Sequence, residues 1–153
     1  MKASKTKKYY ETYDYNSRRP VFVELESLRE DQKYRLMESK NFCMIPWTHI
    51  HGFPTGEAYP CCLGEMAHPI GNMRENTLEE IWHGDTYVGM RQQMLKDQPS
   101  RECTRCYEQE AQGFFSMRNS HNKHFGHHIN KVDQGVNPKF ELVYWDIRFS
   151  NQC

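Results

Sequence analysis

Five of the six cysteines fall between residues 43 and 106, as a single residue, an adjacent pair and a Cys-x-x-Cys pair. The chain has 153 residues, of which 37% are hydrophobic, so it can bury only a modest apolar core. Small domains with a weak core commonly gain stability from disulfides or from a bound metal. The cysteines therefore predict a cross-link of one of these two kinds.

The rest of the composition favours a metal. The segment 1–20 begins with basic residues but has no apolar stretch, so we expect no secretory signal, no membrane partner and a cytoplasmic location. Thiols stay reduced in the cytoplasm, where a Cys-x-x-Cys pair binds metal or does redox chemistry more often than it forms a disulfide. Lys plus Arg and Asp plus Glu are both 20, and this zero net charge argues against electrostatic binding of nucleic acid.

Composition divides the chain into four parts. Residues 1–19 are polar, charged and tyrosine-rich, which predicts a flexible N-terminal arm. Residues 20–115 carry five cysteines and are expected to form the main domain. Residues 116–138, rich in Asn, His, Gly and Lys, are typical of a connector. In the last part, 139–153, the apolar run 140–149 predicts a β-strand.

The main domain, residues 20–115, is predicted to be a small, irregular α+β unit. Alternating and turn-forming residues over 47–59 predict a β-hairpin, with Gly56 at a turn position that requires positive φ. Thr77-x-x-Glu80 is a capping box and predicts the start of a short helix. One or two further short helices are expected after it.

The predicted hairpin brings cysteines that are distant in sequence together. Cys43 precedes the first strand and Cys61 follows the second, so both lie at the same end of the hairpin. Cys103 and Cys106 form a Cys-x-x-Cys pair, which places two sulfurs on one side of the backbone. Cys62 is adjacent to Cys61 and, in a regular strand, points the other way. Four converging thiolates suit either an iron–sulfur cluster or a structural zinc ion, and free thiols or disulfides are a weaker alternative.

Three segments together resemble the SPASM/twitch family of auxiliary iron–sulfur domains in radical S-adenosylmethionine (SAM) proteins. They are CMIPWTHIHGFPTGEAYPCC, IGNMRENTLEEIW and CTRCYEQE, in the family's order. The family's first motif is a Cys, nine to fifteen residues, a Gly, four residues and a Cys. Cys43, Gly56 and Cys61 match that spacing.

The resemblance implies one auxiliary [4Fe-4S] cluster bound by Cys43, Cys61, Cys103 and Cys106, with Cys62 as the alternative to Cys61. The further C-x5-C-x3-C portion of a full SPASM domain is not present in the sequence, which matches the shorter twitch variety with a single cluster. The implied role is electron relay or substrate binding. The alternative function is a structural zinc-binding interaction module without catalysis.

The final segment, VYWDIRFSNQC, resembles the first barrel strand of a radical SAM enzyme and the start of its C-x-x-x-C-x-x-C loop. On that resemblance Cys153 is the first cysteine of the motif, and we expect the chain to be a fragment cut within it. A radical SAM (β/α) barrel is then the expected partner. It would carry SAM and a second [4Fe-4S] cluster and modify a peptide or a small molecule, and the fragment alone would be inactive. In familiar family members the auxiliary domain follows the barrel, whereas here it precedes it.

The histidines suggest a further metal site less strongly. His121, His124, His127 and His128 lie in the predicted connector, where a solvated loop is the expected state. His49 and His51 share a face of the predicted hairpin. They are candidates for residues that tune a cluster from beside it, although an exposed strand face is the favoured expectation.

Overall fold

The computed structural model describes residues 6–150, and its α+β content confirms the predicted fold class. The chain begins with an antiparallel hairpin of β1 (Tyr9–Asp14) and β2 (Arg19–Glu24). Asp14 turns the chain, because its carboxylate accepts hydrogen bonds from the backbone N–H groups of Asn16 (3.0 Å) and Ser17 (3.3 Å).

This hairpin corrects the prediction of a flexible arm for residues 1–19 over its described part. Alternate side chains of β1 face the interior, but they are a tyrosine and a threonine rather than aliphatic residues. The Tyr10 hydroxyl donates to the carbonyl of Asn122 at 2.8 Å, and the Thr12 hydroxyl donates to the carbonyl of His124 at 3.1 Å. A strand that buries polar groups has no apolar alternation, so its sequence is typical of an exposed tail.

After the hairpin come a short 3₁₀ helix, Leu25–Ser27, and α1, Glu30–Met37. A second 3₁₀ helix, Ile45–Trp47, leads into a mixed sheet. Its strands are β3 (His49–Gly52), β4 (Glu57–Tyr59), β5 (Gly71–Asn72) and β6 (Tyr144–Ile147), in the order β5-β4-β3-β6.

The β3–β4 pair confirms the predicted hairpin. Gly56 has φ of +104°, and an added Cβ would lie 2.7 Å from Oδ1 of Asn72, so both conformation and space require glycine. The first strand is shorter than predicted, because Trp47 belongs to the 3₁₀ helix. The predicted strand at 140–149 is likewise shortened to β6, which pairs in parallel with β3.

Helices α2 (Leu78–Trp82), α3 (Asp85–Leu95) and α4 (Thr104–Ala111) follow β5, as predicted. The capping box at Thr77 is present, with the Glu80 N–H donating to the Thr77 hydroxyl at 3.2 Å. The helices pack on the sheet through a core of large buried side chains: Trp47, Ile50, Trp82, Tyr87, Met90 and Met94. Within residues 6–150 no helix has the length and apolar character needed to cross a bilayer.

The predicted connector, 116–138, is instead helical over most of its length. It forms α5, Met117–Phe125, followed by a 3₁₀ helix, Gly126–Gln134. Ser116 is the N-cap, and its hydroxyl accepts a hydrogen bond from the N–H of Asn119. The buried face of α5 includes Arg118 and Asn122, so polar composition does not here indicate exposure to solvent.

Candidate metal centre

Four of the cysteines line one cavity in the part of the chain that the structure describes. The cavity is narrow, with an interior volume of about 10 Å³. Apolar residues form much of the remaining wall, so solvent has limited access to the sulfurs. The lining residues include Cys43, Cys61, Cys103, Cys106, Ile45, Leu63 and Met90.

Three local structures place these thiols. Cys43 immediately precedes the turn into the 3₁₀ helix at Ile45–Trp47, and Cys61 follows β4. Cys103 is the last residue of a 3₁₀ helix, Arg101–Cys103, and Cys106 lies in the first turn of α4. The hairpin and the Cys-x-x-Cys pair thus meet at one cavity.

Cys61 and Cys62 differ in environment although they are adjacent. Cys61 is half-buried and lines the cavity, whereas Cys62 is exposed and does not line it. The sixth cysteine, Cys153, lies outside the described residues. Of the predicted ligands within residues 6–150, the structure therefore brings together the four named first and leaves the alternative, Cys62, outside the cavity.

The sulfurs are close but not in mutual contact. Among the described residues, no three cysteine sulfurs lie within 4.8 Å of one another. A tetrahedral zinc site has Zn–S bonds of about 2.3 Å, which puts its sulfurs only about 3.8 Å apart. The described thiols are therefore not arranged as a preformed four-cysteine zinc site.

Burial favours the protonated form of the cavity thiols. Desolvation raises the pKa of Cys61 to about 12 and raises those of Cys43 and Cys103 well above the ordinary value. The charge that each thiolate would carry raises the pKa values of its neighbours further. Binding a metal requires thiolates, so loading this site must release protons.

Backbone N–H groups oppose the rise in thiol pKa that burial causes. Hydrogen bonds from the backbone of Ile45 to Cys43, and from the backbone of Leu63 and Gly64 to Cys61, lower the pKa of the thiol they contact. Donors of this kind stabilise sulfur that carries negative charge, and in iron–sulfur proteins they set the reduction potential. The donor set therefore fits a thiolate-bound metal or cluster.

Arg118 adds a buried positive charge beside the cavity, which it also lines. Its guanidinium donates to both carboxylate oxygens of Glu110, at 2.8 and 2.6 Å. It also donates to the carbonyls of Ser39 (3.0 Å) and Phe42 (2.7 Å). One side chain thus joins α4, α5 and the loop that carries Cys43.

Asn122 holds the same loop from the next turn of α5. Its Oδ1 accepts from the N–H of Met44 at 2.8 Å, and its Nδ2 donates to the carbonyl of Phe42 at 3.1 Å. The backbone on both sides of Cys43 is therefore fixed by α5. Sequence reasoning missed Arg118 and Asn122. The signal that could have found them is the Ser116-x-x-Asn119 cap, which marks a helix start.

The histidines differ from their expected exposure. His49 and His51 are each 3% exposed, which corrects the expectation of an exposed strand face. Burial lowers the pKa of His49 to about 3 and that of His121, which lines the cysteine cavity, to about 4. His127 is half-buried, with its Nδ1 2.7 Å from the Thr12 hydroxyl, rather than part of a solvated loop.

Comparison with known proteins bears on this cavity directly. Residues 43–107 match the family model of SPASM, described as an iron–sulfur cluster-binding domain. The match begins at Cys43 and ends one residue after Cys106, so it contains all four cavity cysteines. It indicates that this segment binds an iron–sulfur cluster. No curated protein and no solved structure matches the chain.

Proposed function

We propose that Cys43, Cys61, Cys103 and Cys106 hold one [4Fe-4S] cluster. The observation that carries this proposal is the convergence of the four thiols on one cavity within the segment that matches the SPASM domain. Four cysteine ligands are the usual complement of such a cluster.

The match to an iron–sulfur cluster-binding domain supports iron and sulfide over zinc, and the two fillings require different spacings of the sulfurs. A single zinc ion needs all four sulfurs within about 4 Å of one another, given Zn–S bonds of about 2.3 Å. A cluster holds each cysteine on a different iron and so keeps the sulfurs farther apart.

The ligand set supports electron relay over direct substrate binding. When bound, an iron–sulfur cluster supplies one-electron redox chemistry. With four cysteines in the cavity, a ligand is present for every iron, so no iron is left for a substrate to coordinate. Apolar wall residues limit the access of water, while Arg118 and the backbone N–H donors stabilise negative charge on the sulfurs.

We further propose that this is an auxiliary cluster of a cytoplasmic radical SAM enzyme. The support is the likeness of VYWDIRFSNQC to that family's first barrel strand and cluster loop. β6 lies at the edge of the mixed sheet, parallel to β3, and its Tyr144 and Trp145 are exposed. Further strands of a barrel could pair with this edge. The barrel is then the partner, SAM its cofactor, and a peptide or small molecule the substrate class.

Anaerobic reconstitution with iron and sulfide tests the cluster. We expect a brown protein with about four irons and four sulfides per chain and a broad visible absorption that bleaches on reduction. A parallel sample with zinc serves as the comparison. A protein that stays colourless and retains one tightly held zinc per chain contradicts the proposal and supports the structural zinc module.

The parent enzyme has a separate test. The nucleotide sequence after codon 153 should encode a cysteine four residues beyond Cys153 and another three residues later. A reading frame that continues without those cysteines contradicts the radical SAM assignment and leaves the cluster proposal intact.

A further inference from the structure

A second group of metal-ligating side chains lies on the mixed sheet. His49 and His51 of β3 and Asp146 of β6 each offer a ligand atom, and these atoms lie within 4.8 Å of one another. The parallel register explains the grouping, because it sets Asp146 opposite His51 and Tyr144 opposite His49. Residues two apart in a strand share a face, so both histidines and the carboxylate are presented on one side of the sheet.

His49 has an unsatisfied hydrogen-bonding atom. Its side chain is almost fully buried, and Nδ1 has no hydrogen-bond partner among the described residues. Leaving a buried polar atom unpaired is unfavourable, so a partner at this position would stabilise the fold. The ring stacks on Tyr144, with centroids 5.0 Å apart. A neutral imidazole nitrogen without a hydrogen-bond partner has a lone pair that a metal ion can take up.

His51 and Asp146 are arranged as ligands commonly are in metal sites. Nδ1 of His51 lies 2.7 Å from Oδ2 of Asp146. These two atoms face each other, so a bound ion would take the place of the proton that they share and be held by both. The carboxylate has a second oxygen, Oδ1, and its side chain is 34% exposed, which gives an ion and its remaining water ligands a route to the site.

We propose that His49, His51 and Asp146 form a binding site for a divalent transition-metal ion, separate from the cysteine cavity. Two imidazoles and one carboxylate suit Zn²⁺ and Fe²⁺, and three protein ligands leave positions open for water or a substrate. None of the three residues lines the cysteine cavity. The simpler alternative is an ion pair between His51 and Asp146 that joins β3 to β6. That alternative gives no role to Nδ1 of His49.

Counting bound zinc in matched variants tests the site. The background is Cys62→Ala, because the charge of Asp146 reaches the exposed Cys62 thiol, which could itself bind zinc. We compare this background with Cys62→Ala/Asp146→Asn, which keeps the side-chain shape, and with Cys62→Ala/His51→Gln. The background should hold one more zinc per chain than either double variant, and zinc affinity in the variants should fall at least about tenfold.

The difference in zinc count between the background and the double variants does not depend on what the four cysteines hold. A result that contradicts this site therefore leaves the cluster proposal intact. His68→Gln, in the loop after β4, is the histidine control and should leave the zinc count unchanged. Thermal unfolding without zinc verifies that each variant folds, and added zinc should raise the unfolding temperature of the background and of the His68→Gln control more than that of either double variant. Equal zinc counts in the background and in both double variants overturn the proposal.

Discussion

The cysteine segment (residues 42–107) and the polar flank (residues 9–24 and 116–134) are held in place by different interactions. The cysteine segment buries large apolar side chains, among them Trp47, Ile50 and Trp82, around the sheet. The flank packs on it largely through buried hydrogen bonds, from Arg118 and Asn122 to the backbone next to Cys43. The flank therefore positions the Cys43 loop and adds Arg118 and His121 to the wall of the candidate metal centre, but it supplies none of the four cavity cysteines.

This difference assigns separate roles to the two regions. Removing a thiol should abolish metal binding, whereas removing a buried polar group of the flank should weaken the fold around Cys43. An unsatisfied buried donor or acceptor is costly, so single substitutions in the flank should have effects well above those of exposed positions. The predictions below run from the largest expected effect to the smallest.

Cys103→Ala should remove nearly all bound iron from the reconstituted protein. The side chain lines the cavity and no other described cysteine is placed to replace it. Because binding and folding are coupled in metal domains of this size, the variant should also unfold at lower temperature. Arg105→Ala, an exposed change inside the same Cys-x-x-Cys pair, is the control. Iron content near that of the unchanged chain in Cys103→Ala would contradict the assignment.

Arg118→Met should destabilise the protein by about 3–5 kcal/mol, because it leaves the Glu110 carboxylate unpaired in a buried site. The two side chains are 4% and 15% exposed. Chemical denaturation of the reconstituted protein measures the free energy of unfolding.

The matched control is Arg29→Met, which removes an arginine paired with Asp31 and Asp133 at the surface. Arg29 is 54% exposed, and such pairs contribute about 1 kcal/mol or less. If both arginine variants lose the same free energy, the contrast between buried and exposed pairs is wrong.

Asn122→Ala should cost about 1–3 kcal/mol, since it leaves the N–H of Met44 without its partner and removes one donor to the carbonyl of Phe42. Lys123→Ala, at the exposed neighbouring position on α5, should change the free energy of unfolding by less than about 0.5 kcal/mol. A loss in Asn122→Ala as small as that in the lysine control would show that α5 does not hold the Cys43 loop.

Acid should weaken the flank. Burial, and then the nearby His127 and Lys131, lower the pKa of His128 to about 4, against the smaller opposing effects of Asp14 and Glu141. The unfolded chain therefore binds more protons than the folded chain between about pH 4 and pH 6.5. The stabilising contribution is complete above that window and declines as the pH falls through it.

His128→Gln should flatten this part of the stability–pH curve, as followed by thermal unfolding at pH 4 to 7. His68→Gln, a change at a half-buried loop position outside the flank, should leave the slope as it is. An unchanged slope in His128→Gln would mean that its protonation does not affect the fold.

Sequence reasoning succeeded where structure is determined locally. Gly56 in its turn and the capping box at Thr77 are encoded within a few residues, so the hairpin and α2 were predicted. Thr12 and Arg118 bury polar groups against partners far along the chain, and no local pattern reveals such partners. The burial of His49 likewise depends on the pairing of β3 with β6, about a hundred residues away.

The most direct test of the metal centre compares two adjacent cysteines. Iron and acid-labile sulfide per chain should be measured in Cys61→Ala and Cys62→Ala after identical anaerobic reconstitution. Cys61 lines the cavity and Cys62 does not, so Cys61→Ala should lose most of the cluster while Cys62→Ala retains nearly all of it. The reverse result, or full cluster content in both variants, would contradict the proposed ligand set.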